Sequence, residues 1–373
     1  MKGKYDLTIN WQIEIPSSHV LNNRGSFSLL KNHSTLLAYN ETDENGHPTM
    51  GRLVKLTQGK IDNIFNTNRP LSSFVLDGKD IYLVSLGKFT ATRVLEKAVL
   101  FKISDYGVLK WTYQLMGTTG KVPVVYHDSI FIVDAMPLNG KGNLYRLNKN
   151  GELLFKKPLE ARASFEPYIF KDKEEILLCC GRLRELEILD FEGNVKKQKD
   201  INQTGSILFS QNEQEELFAA IDDSIVALDN ELNVLWAYKP ALGFAHEAPV
   251  FDSKGNSYSL LNMKRLVSLD HNGNERWMVH VSGHGRQALI IEDDIMIITS
   301  RPNENEPETE LSDSRIEIFT KNGEKLQEHL LPGSYVNAIK DNDTLFVITN
   351  SIVANPPNNS VCYSVKIFSL RLH

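Results

Sequence analysis

The chain alternates between short hydrophobic runs and short polar turns along almost its whole length. In residues 265–277, for example, the apolar run Arg265–Leu269 is followed by a polar turn that contains Gly273 and then by a second run that carries Trp277. Runs of four to eight apolar and β-branched residues bounded by Gly, Asn and Asp are typical of strands joined by tight turns. The pattern therefore predicts an all-β protein.

The turn occurs in seven copies at a regular interval. Its glycine position is filled by Gly59, Gly107, Gly151, Gly193, Leu232, Gly273 and Gly323, which are 39 to 50 residues apart. This period is expected for the four short strands of a propeller blade. Four residues further on, several copies carry a large ring, at Trp111, Phe155, Trp236 and Trp277. We expect these rings to pack between neighbouring blades.

The copies predict an eight-bladed β-propeller of four-stranded antiparallel blades. The last blade lacks an outer strand after 363–368, whereas the strand pattern at 5–15 precedes the first inner strand and has no blade of its own. Pairing the N-terminal strand with the C-terminal blade would close the ring and remove free sheet edges. We predict a single domain over 1–373, with blades at approximately 26–70, 71–119, 120–164, 165–203, 204–244, 245–285, 286–333, and 334–373 plus 1–19.

The repeated Leu-Asp-x-x-Gly-x-x-x-Trp pattern resembles the PQQ-like, or quinoprotein-type, β-propeller repeat. The best copies lie at 101–111, 224–236 and 266–277, and the resemblance covers nearly the whole chain. The eight-blade length is similar to that of the outer-membrane-barrel assembly lipoprotein and its soluble relatives. The resemblance implies the fold but not the function, because such propellers include dehydrogenases, scaffolds and orphan proteins.

Composition and charge narrow the choice of partner and compartment. The net charge is −6 and the longest basic run is 195–199, so no nucleic-acid partner is expected. No apolar stretch of about 18 residues and no leader pattern is present, which predicts no transmembrane segment. Three cysteines agree with a reducing compartment, so we expect a cytoplasmic protein, or an exported protein if a leader has been removed from the sequence. We also expect it to be a monomer.

Polar residues at the start of each inner strand are the candidates for a binding site at the mouth of the central channel. A converging set of cations, carboxylates and imidazoles could bind a polar ligand, whereas the alternative is that these groups only line a water-filled channel. The predicted binding residues are Lys121, Arg162, Glu166, His246, Glu247, His284, Arg286, Tyr335 and Asn337, with Ser26, Ser72 and Ser206 at equivalent positions.

No cofactor or metal is expected. The resemblance would imply PQQ and a vicinal disulfide, but Cys179 and Cys180 are adjacent in a predicted strand and should stay free thiols. The Gly-x-Gly-x-x-Ala run at 283–288 should lie between two strands, without the helix that a dinucleotide site requires. His280 and His284 lie in a predicted strand and loop, so helical metal-ligand spacing does not apply to them. The acidic run 304–310 is the alternative site for calcium, but it lacks the ligand spacing of a calcium loop.

Loop lengths suggest where a partner would bind. Long connections between the second and third strands are predicted on blades 7, 8, 1, 2 and 3 and short ones on blades 4 to 6, although neutral variation in loop length is the alternative. We predict a non-catalytic scaffold that binds a protein or peptide partner on this loop-walled top face. The alternative is a propeller enzyme or small-molecule binder with a polar site at the channel mouth. A scaffold should expose apolar residues, whereas an enzyme should have a deep polar pocket.

Overall fold

The computed structural model describes residues 7–20, 24–30, 34–89, 94–136, 140–161, 163, 166–170, 172–180, 185–200, 209–212, 216–221, 224–229, 231–241, 249–292, 294–300, 313–355 and 360–372. The regular structure in these ranges is β-strand apart from a short 3-10 helix at Arg24–Ser26. The strands in chain order are β1 Leu7–Pro16, β2 Ser18–His19, β3 Phe27–Leu29, β4 Thr35–Thr42, β5 Pro48–Thr57, β6 Lys60–Thr67, β7 Leu71–Asp77, β8 Asp80–Ser85, β9 Lys88–Phe89, β10 Val94–Glu96, β11 Val99–Ser104, β12 Leu109–Gln114, β13 Val124–Tyr126, β14 Ser129–Met136, β15 Lys141–Asn148, β16 Leu153–Leu159, β17 Tyr168–Phe170, β18 Glu175–Cys180, β19 Glu185–Asp190, β20 Val195–Asp200, β21 Phe209–Gln211, β22 Leu217–Ile221, β23 Ser224–Leu228, β24 Val234–Tyr238, β25 Val250–Phe251, β26 Ser257–Leu261, β27 Arg265–Leu269, β28 Glu275–His280, β29 His284–Ile291, β30 Asp294–Ser300, β31 Ser314–Thr320, β32 Lys325–Leu331, β33 Ser334–Asp341, β34 Thr344–Asn355 and β35 Ser360–Leu372.

The strands form eight antiparallel sheets, which are the blades of an eight-bladed β-propeller. Blades 2 to 7 are β7-β8-β11-β12, β13–β16, β17–β20, β21–β24, β25–β28 and β29–β32, and we call the four strands of a blade A to D in chain order. Blade 1 is β3 to β6, with β2 also paired to β4. Blade 8 consists of β33, β34, β35 and the N-terminal strand β1, so the predicted fold class and the closure by the N-terminal strand are confirmed.

The chain divides into two compact units. Unit 1 comprises Met1–Gln12, Gly205–Ile352 and Lys366–His373, and unit 2 comprises Ile13–Thr204 and Val353–Val365. Unit 2 therefore holds blades 1 to 4, and unit 1 holds blades 5 to 7 with most of blade 8. The single domain expected from the repeat remains a prediction.

The core of each unit is a series of apolar clusters between neighbouring blades. Successive side chains of a strand point to opposite faces of the sheet. In blade 2, Ile81 and Leu83 pack towards blade 1, whereas Tyr82 and Val84 pack towards blade 3. Unit 1 repeats this arrangement, with clusters between blades 5 and 6, blades 6 and 7, and blades 7 and 8. Strands buried on both faces explain why the sequence shows continuous apolar runs rather than strict alternation.

The turn between strands C and D has the same geometry in several blades. In blade 4, Asp190 Oδ1 accepts the backbone N–H groups of Glu192 and Asn194, at 3.0 and 2.8 Å, and the Asn194 side chain donates to Asp190 Oδ2 at 2.9 Å. The hydrogen bond from that side chain is the main reason that the pKa of Asp190 lies below its usual value. Gly193, which precedes Asn194 in this turn, has a φ of 87°. The turn therefore needs a short acceptor followed three residues later by a residue in the left-handed region.

All seven predicted glycine positions have positive φ, including the one that carries a leucine. Leu232 has a φ of 61° and is completely buried. A branched side chain in this backbone region is strained by roughly 1–3 kcal/mol. The Asp229 and Asn233 side chains close the turn as they do in blade 4, so the turn geometry persists without glycine.

Each large ring on strand D lies against the turn glycine of the next blade. A Cβ atom built on Gly151 would lie 2.8 Å from Trp111 Cδ2, and one on Gly273 would lie 2.5 Å from Trp236 Cδ2. Gly193 lies against Phe155 and Gly323 against Trp277 in the same way. The predicted packing of these rings between neighbouring blades is confirmed within each unit.

A hydrogen bond to the turn carbonyl accompanies this stacking. The indole nitrogens of Trp111, Trp236 and Trp277 donate to the carbonyls of Lys149, His271 and Lys321 at 3.0, 3.0 and 2.8 Å. In blade 3 the ring is Phe155, which has no N–H group. There Arg146 on strand C donates from Nη1 to the equivalent carbonyl, that of Phe191, at 2.6 Å. A cation replaces the indole as the donor between blades 3 and 4.

The two ends of the blades carry different connections. The loops between strands B and C contact the chain where it passes between blades. Leu86 N donates to Pro70 O at 2.7 Å, and Gly285 N, at the start of β29, donates to Met263 O at 2.5 Å. The A–B and C–D turns meet at the opposite end, where Asp105 N donates to Lys79 O at 2.9 Å. We call these the upper end and the lower end, respectively.

The stacking predicts different effects for two glycines of unit 2 that both have positive φ. Gly78→Ala should cost about 1–2 kcal/mol from backbone strain alone, because no atom lies within 4 Å of its new Cβ. Gly151→Ala should cost about 1–3 kcal/mol more, because its Cβ would overlap the Trp111 ring. Thermal unfolding of both variants checks this, and equal losses would show that the ring makes no tight contact.

The donor exchange in blade 3 predicts a coupling between Arg146 and Phe155. Arg146→Met should destabilise the protein by about 2 kcal/mol, since it leaves the Phe191 carbonyl without this donor. In a Phe155→Trp background the new indole should supply the hydrogen bond, so the loss should shrink by about 1 kcal/mol. Denaturant unfolding of the four proteins measures this coupling, and additive effects would contradict it.

Candidate functional site

In unit 2 the structure connects two of the predicted binding residues, Lys121 and Glu166, through the backbone. Val122 N donates to Glu166 Oε1 at 3.2 Å, so the carboxylate is bound to the residue next to Lys121. Ser73 Oγ donates to the Lys121 carbonyl at 2.9 Å, and Lys121 N donates to Thr119 Oγ1 at 3.0 Å. Lys121 and Glu166 are both partly exposed, and they lie just before the A strands of blades 3 and 4.

The serines predicted to line the channel mouth in unit 2 are instead buried. Ser26 and Ser72 have almost no accessible surface, and Ser72 Oγ donates to Val84 O at 3.2 Å. The inner strands approach closely here, since a Cβ on Gly25 would lie 2.5 Å from Val122 Cγ2. That tight packing removes these hydroxyl groups from any ligand, and the prediction for them is wrong.

In unit 1, β29 and β33 both contain a β-bulge near their first residues. Gly285 pairs with Thr299 and Gln287 with Ile298, so Arg286 is the extra residue of blade 7. Tyr335 pairs with Thr349 and Asn337 with Ile348, so Val336 is the extra residue of blade 8. Bulges re-aim side chains and are frequent near functional sites.

The bulge holds the Arg286 guanidinium against polar atoms of two blades. Its Nε donates to Ser300 Oγ at 2.8 Å, and its Nη1 lies 3.9 Å from Met263 Sδ. Arg286 makes no ion pair with any residue in the described ranges. A half-buried guanidinium of this kind can bind an anion.

Tyr335 contacts a residue that the sequence did not single out. Its hydroxyl donates to Gln287 Oε1, and Gln287 Nε2 donates to the Ala338 carbonyl at 3.4 Å, which links blades 7 and 8. Asn337 is almost fully buried, and His284 is the first residue of β29. No sequence signal distinguishes Gln287, because the bulge at Arg286 changes which face each residue occupies.

Several predictions about the chemistry lie outside the described residues or need correction. Arg162, Ser206, His246 and Glu247 are outside the described ranges, as is the acidic run 304–310. The Gly-x-Gly-x-x-Ala run belongs to a strand from His284 onwards, and is not a connection between strands. Cys179 is buried and forms no disulfide. No group of three or more His, Cys, Asp or Glu side chains that could hold a metal occurs among the described residues.

At the upper end of unit 2 the predicted loop of blade 2 contains a small hairpin. Strands β9 and β10 pair with each other, and Lys88 Nζ lies 3.3 Å from Glu96 Oε1 across them. Arg69, on the crossing from blade 1, donates from Nη1 to the Lys97 carbonyl at 2.8 Å and lies 3.9 Å from Glu96 Oε2. The hairpin is therefore held against the preceding blade.

The connection between strands B and C of blade 1 is a short turn, although a long one was predicted there. Strand β4 continues to Thr42 and β5 begins at Pro48, which leaves a turn of five residues. Asp43 Oδ1 accepts His47 N at 2.8 Å and Asn45 N at 2.9 Å. The backbone hydrogen bond from His47 is the main cause that holds the pKa of Asp43 below its usual value.

Three large apolar side chains are exposed at this upper end, in blade 1, in the hairpin of blade 2 and on the crossing from blade 2 to blade 3. They are Met50 at the start of β5, Leu95 in the hairpin and Met116 on the crossing from blade 2 to blade 3, with 40, 49 and 43% of their surface accessible. We call these three residues the upper patch. Ion pairs flank it, with Arg52 Nη2 2.5 Å from Glu41 Oε1 and Lys141 Nζ 2.6 Å from Glu160 Oε2. Apolar groups surrounded by ion pairs are typical of a protein-binding surface.

No family model and no curated protein sequence matches this chain. Solved structures do resemble it. BamB from Moraxella catarrhalis is 12% identical with a TM-score of 0.61, covering 95% of this chain and 97% of that one. The C-terminal WD40 domain of Sif2 is 10% identical with a TM-score of 0.62, covering 96% and 97%. The dihydro-heme d1 dehydrogenase NirN is 13% identical with a TM-score of 0.63, covering 98% and 79%.

These similarities establish the fold. The resemblance to PQQ-like propellers expected from the repeat is confirmed at that level, since BamB and NirN are among the neighbours, together with a WD40 propeller. The neighbours include an enzyme as well as other proteins, so the fold alone assigns no activity. Within the described residues, no helix has the length and apolar character needed to cross a membrane.

The contacts of Arg69 predict that it orders the hairpin beside the upper patch. Arg69→Met should accelerate amide hydrogen exchange in residues 94–97 severalfold, because the hydrogen bond to the Lys97 carbonyl is lost. Lys88→Met should change exchange little, since an exposed ion pair contributes roughly 0–1 kcal/mol. Unchanged exchange in Arg69→Met, measured by mass spectrometry, would show that the hairpin is ordered without this contact.

Proposed function

We propose that the protein is a non-catalytic platform that binds a protein partner through the upper patch of unit 2. The observation that carries the proposal is the exposure of Met50 in β5, Leu95 in the blade 2 hairpin and Met116 on the crossing from blade 2 to blade 3. Methionine side chains adapt to the shape of a partner and are frequent on binding surfaces. A partner with apolar side chains would cover this patch, and its polar groups would meet the flanking ion pairs.

The rigidity of the supporting loops favours binding. Ala98 N donates to the Gly117 carbonyl at 2.8 Å, which joins the hairpin to the segment that carries Met116. Gly117 N in turn donates to the buried carboxylate of Asp134 at 2.8 Å, and Tyr145 donates to the same oxygen at 2.7 Å. Loops held in this way lose little conformational entropy when a partner binds.

The experiment is capture from native extract with quantitative mass spectrometry. The variant Met50→Asp, Leu95→Asp, Met116→Asp should retain the partner at least about tenfold less than the wild type, because buried anchor residues dominate binding energy. The control variant Val234→Asp, Leu235→Asp, Leu330→Asp replaces three exposed apolar residues of unit 1 and should retain it fully. Equal retention by all three proteins would exclude the upper patch.

The second candidate function is a binding site for a small anion at the inner strands of unit 1. The half-buried guanidinium of Arg286, which has no ion-pair partner among the described residues, favours it. It becomes the preferred interpretation if the wild type retains no protein above background. Carboxylates and phosphates should then raise the melting temperature of the wild type and not that of Arg286→Gln.

The expected cytoplasmic location and monomeric state remain predictions. Cell fractionation measures the location, and light scattering measures the oligomeric state.

A further inference from the structure

A second surface of unit 2 lies at the outer strands, where apolar side chains are exposed near the lower end. Tyr106, Val108 and Leu109 in blade 2, Leu153 and Leu154 in blade 3 and Val195 in blade 4 are all exposed, with Tyr106 at 81% and Val108 at 63%. We call these six residues the rim band. None of them belongs to the upper patch, which lies at the other end of the blades.

The stacking between blades brings the parts of the rim band close together. Trp111 in β12 lies against Gly151, two residues before Leu153, and Phe155 in β16 lies against Gly193, two residues before Val195. The start of each outer strand is therefore next to the turn that begins the following one. The rim band therefore extends over three neighbouring blades.

The fold does not require apolar residues at these positions. Leu109, Leu153 and Val195 each pair with the last apolar residue of strand C, immediately before a bulge. Blades 6 and 7 place Glu275 and Lys325 at the same register. Blade 5 places Val234 there, so the position accepts an apolar residue as well, but blades 6 and 7 show that charged side chains suit it structurally.

The rim band lies among lysines although the chain as a whole is acidic. Strands β12, β16 and β20 together carry six lysines and one acidic residue, Asp200. The lysines are Lys110, Lys156, Lys157, Lys196, Lys197 and Lys199. The chain has a net charge of −6. Lys156 and Lys157 make no ion pair with any residue of the described chain, whereas Lys110 pairs with Asp80 and Lys196 with Glu175. Exposed apolar groups beside such lysines are complementary to a segment that is both apolar and acidic.

We infer that the rim band, with Lys156 and Lys157, binds an acidic amphipathic segment of a protein partner. The apolar side chains of the segment cover Leu109, Leu153 and Leu154, and its carboxylates pair with Lys156 and Lys157. An anionic bilayer fits less well, because the turns at the lower end of the same blades expose Asp128, Glu174 and Glu192. A flat surface that reached the rim band would meet these carboxylates, whereas a narrow segment would not.

The repeated bulge at the start of the outer strands also limits how the segment binds. Lys110, Leu154 and Lys196 are the extra residues in β12, β16 and β20. A bulge twists an edge strand and interrupts its row of hydrogen-bonding groups. The segment therefore binds through side chains and not as an added strand.

The test measures binding of fluorescein-labelled synthetic peptides to the full chain by anisotropy. The probe is a 20-residue amphipathic peptide of Leu and Glu, compared with a peptide of the same composition without an apolar face and with one that has Lys in place of Glu. The wild type should bind the acidic amphipathic peptide best, and binding should weaken as salt is raised from ~0.05 M to ~0.5 M. Equal binding of the peptide without an apolar face would overturn the inference.

Two paired variants locate the binding. Leu153→Ser with Leu154→Ser, and Lys156→Glu with Lys157→Glu, should each weaken the acidic peptide by about tenfold or more, with melting temperatures close to the wild type because these side chains are mostly exposed. Lys254→Glu with Lys264→Glu makes the same charge change at exposed positions of unit 1 and should bind like the wild type. An equal loss in this control would mean that only net charge acts, and would overturn the inference.

Two further measurements distinguish binding at the rim band from binding elsewhere on the protein and from attachment to lipid. Hydrogen exchange with the bound peptide should protect amides in β12 and β16, and protection elsewhere would contradict the assignment. The protein should not sediment with vesicles of phosphatidylserine and phosphatidylcholine. If the wild type does sediment with them and the Lys156 and Lys157 variant does not, the rim band binds a lipid surface and the inference of a protein segment is wrong. The variant Met50→Asp, Leu95→Asp, Met116→Asp should still bind the peptide. The proposal for the upper patch and the inference for the rim band can therefore be contradicted separately.

Discussion

The contact between an outer-strand ring and the turn glycine of the next blade is the interaction on which the packing of four pairs of neighbouring blades depends. Only a residue without a side chain lets the indole of Trp111 reach the backbone of Gly151, and the same turn presents the carbonyl that the indole binds. The turn is shaped by a carboxylate or amide that accepts two backbone N–H groups, as in Asp190. Blade-to-blade packing thus rests on a local turn motif.

The exchange of donors in blade 3 shows that the hydrogen bond matters separately from the ring. Phe155 preserves the stacking on Gly193 but cannot donate, and Arg146 supplies the missing hydrogen bond from the neighbouring strand. Arg146 also lies over the rings of Phe131 and Phe191, at 5.8 and 5.0 Å from their centroids. The rings stabilise the guanidinium through cation–π contacts, and the guanidinium also donates the hydrogen bond to the Phe191 carbonyl.

The two surfaces of unit 2 follow from where this framework leaves the chain free to vary. The upper loops can change length because the turns at the lower end define the blades, and the Arg69 contacts then hold the hairpin of blade 2 in place. The outer strands can change composition, because their first residues pair with strand C through the backbone. Apolar exposure at both places is therefore a property of this sequence and not a requirement of the propeller.

The local features of the fold could be predicted from the sequence alone. The spacing of the turn residues indicated the repeated blades and the turn at Leu232, and the strand patterns at the two ends indicated the eighth blade and its closure by β1. Turn geometry and strand alternation depend on residues close together in the chain. Which polar residues meet became known only from the folded chain. The bulge at Arg286, the pairing of Tyr335 with Gln287, the burial of Ser26 and Ser72, and the substitution of Arg146 for an indole donor all join residues of different strands or blades. Such contacts depend on register and packing between segments distant in sequence, which no local pattern records.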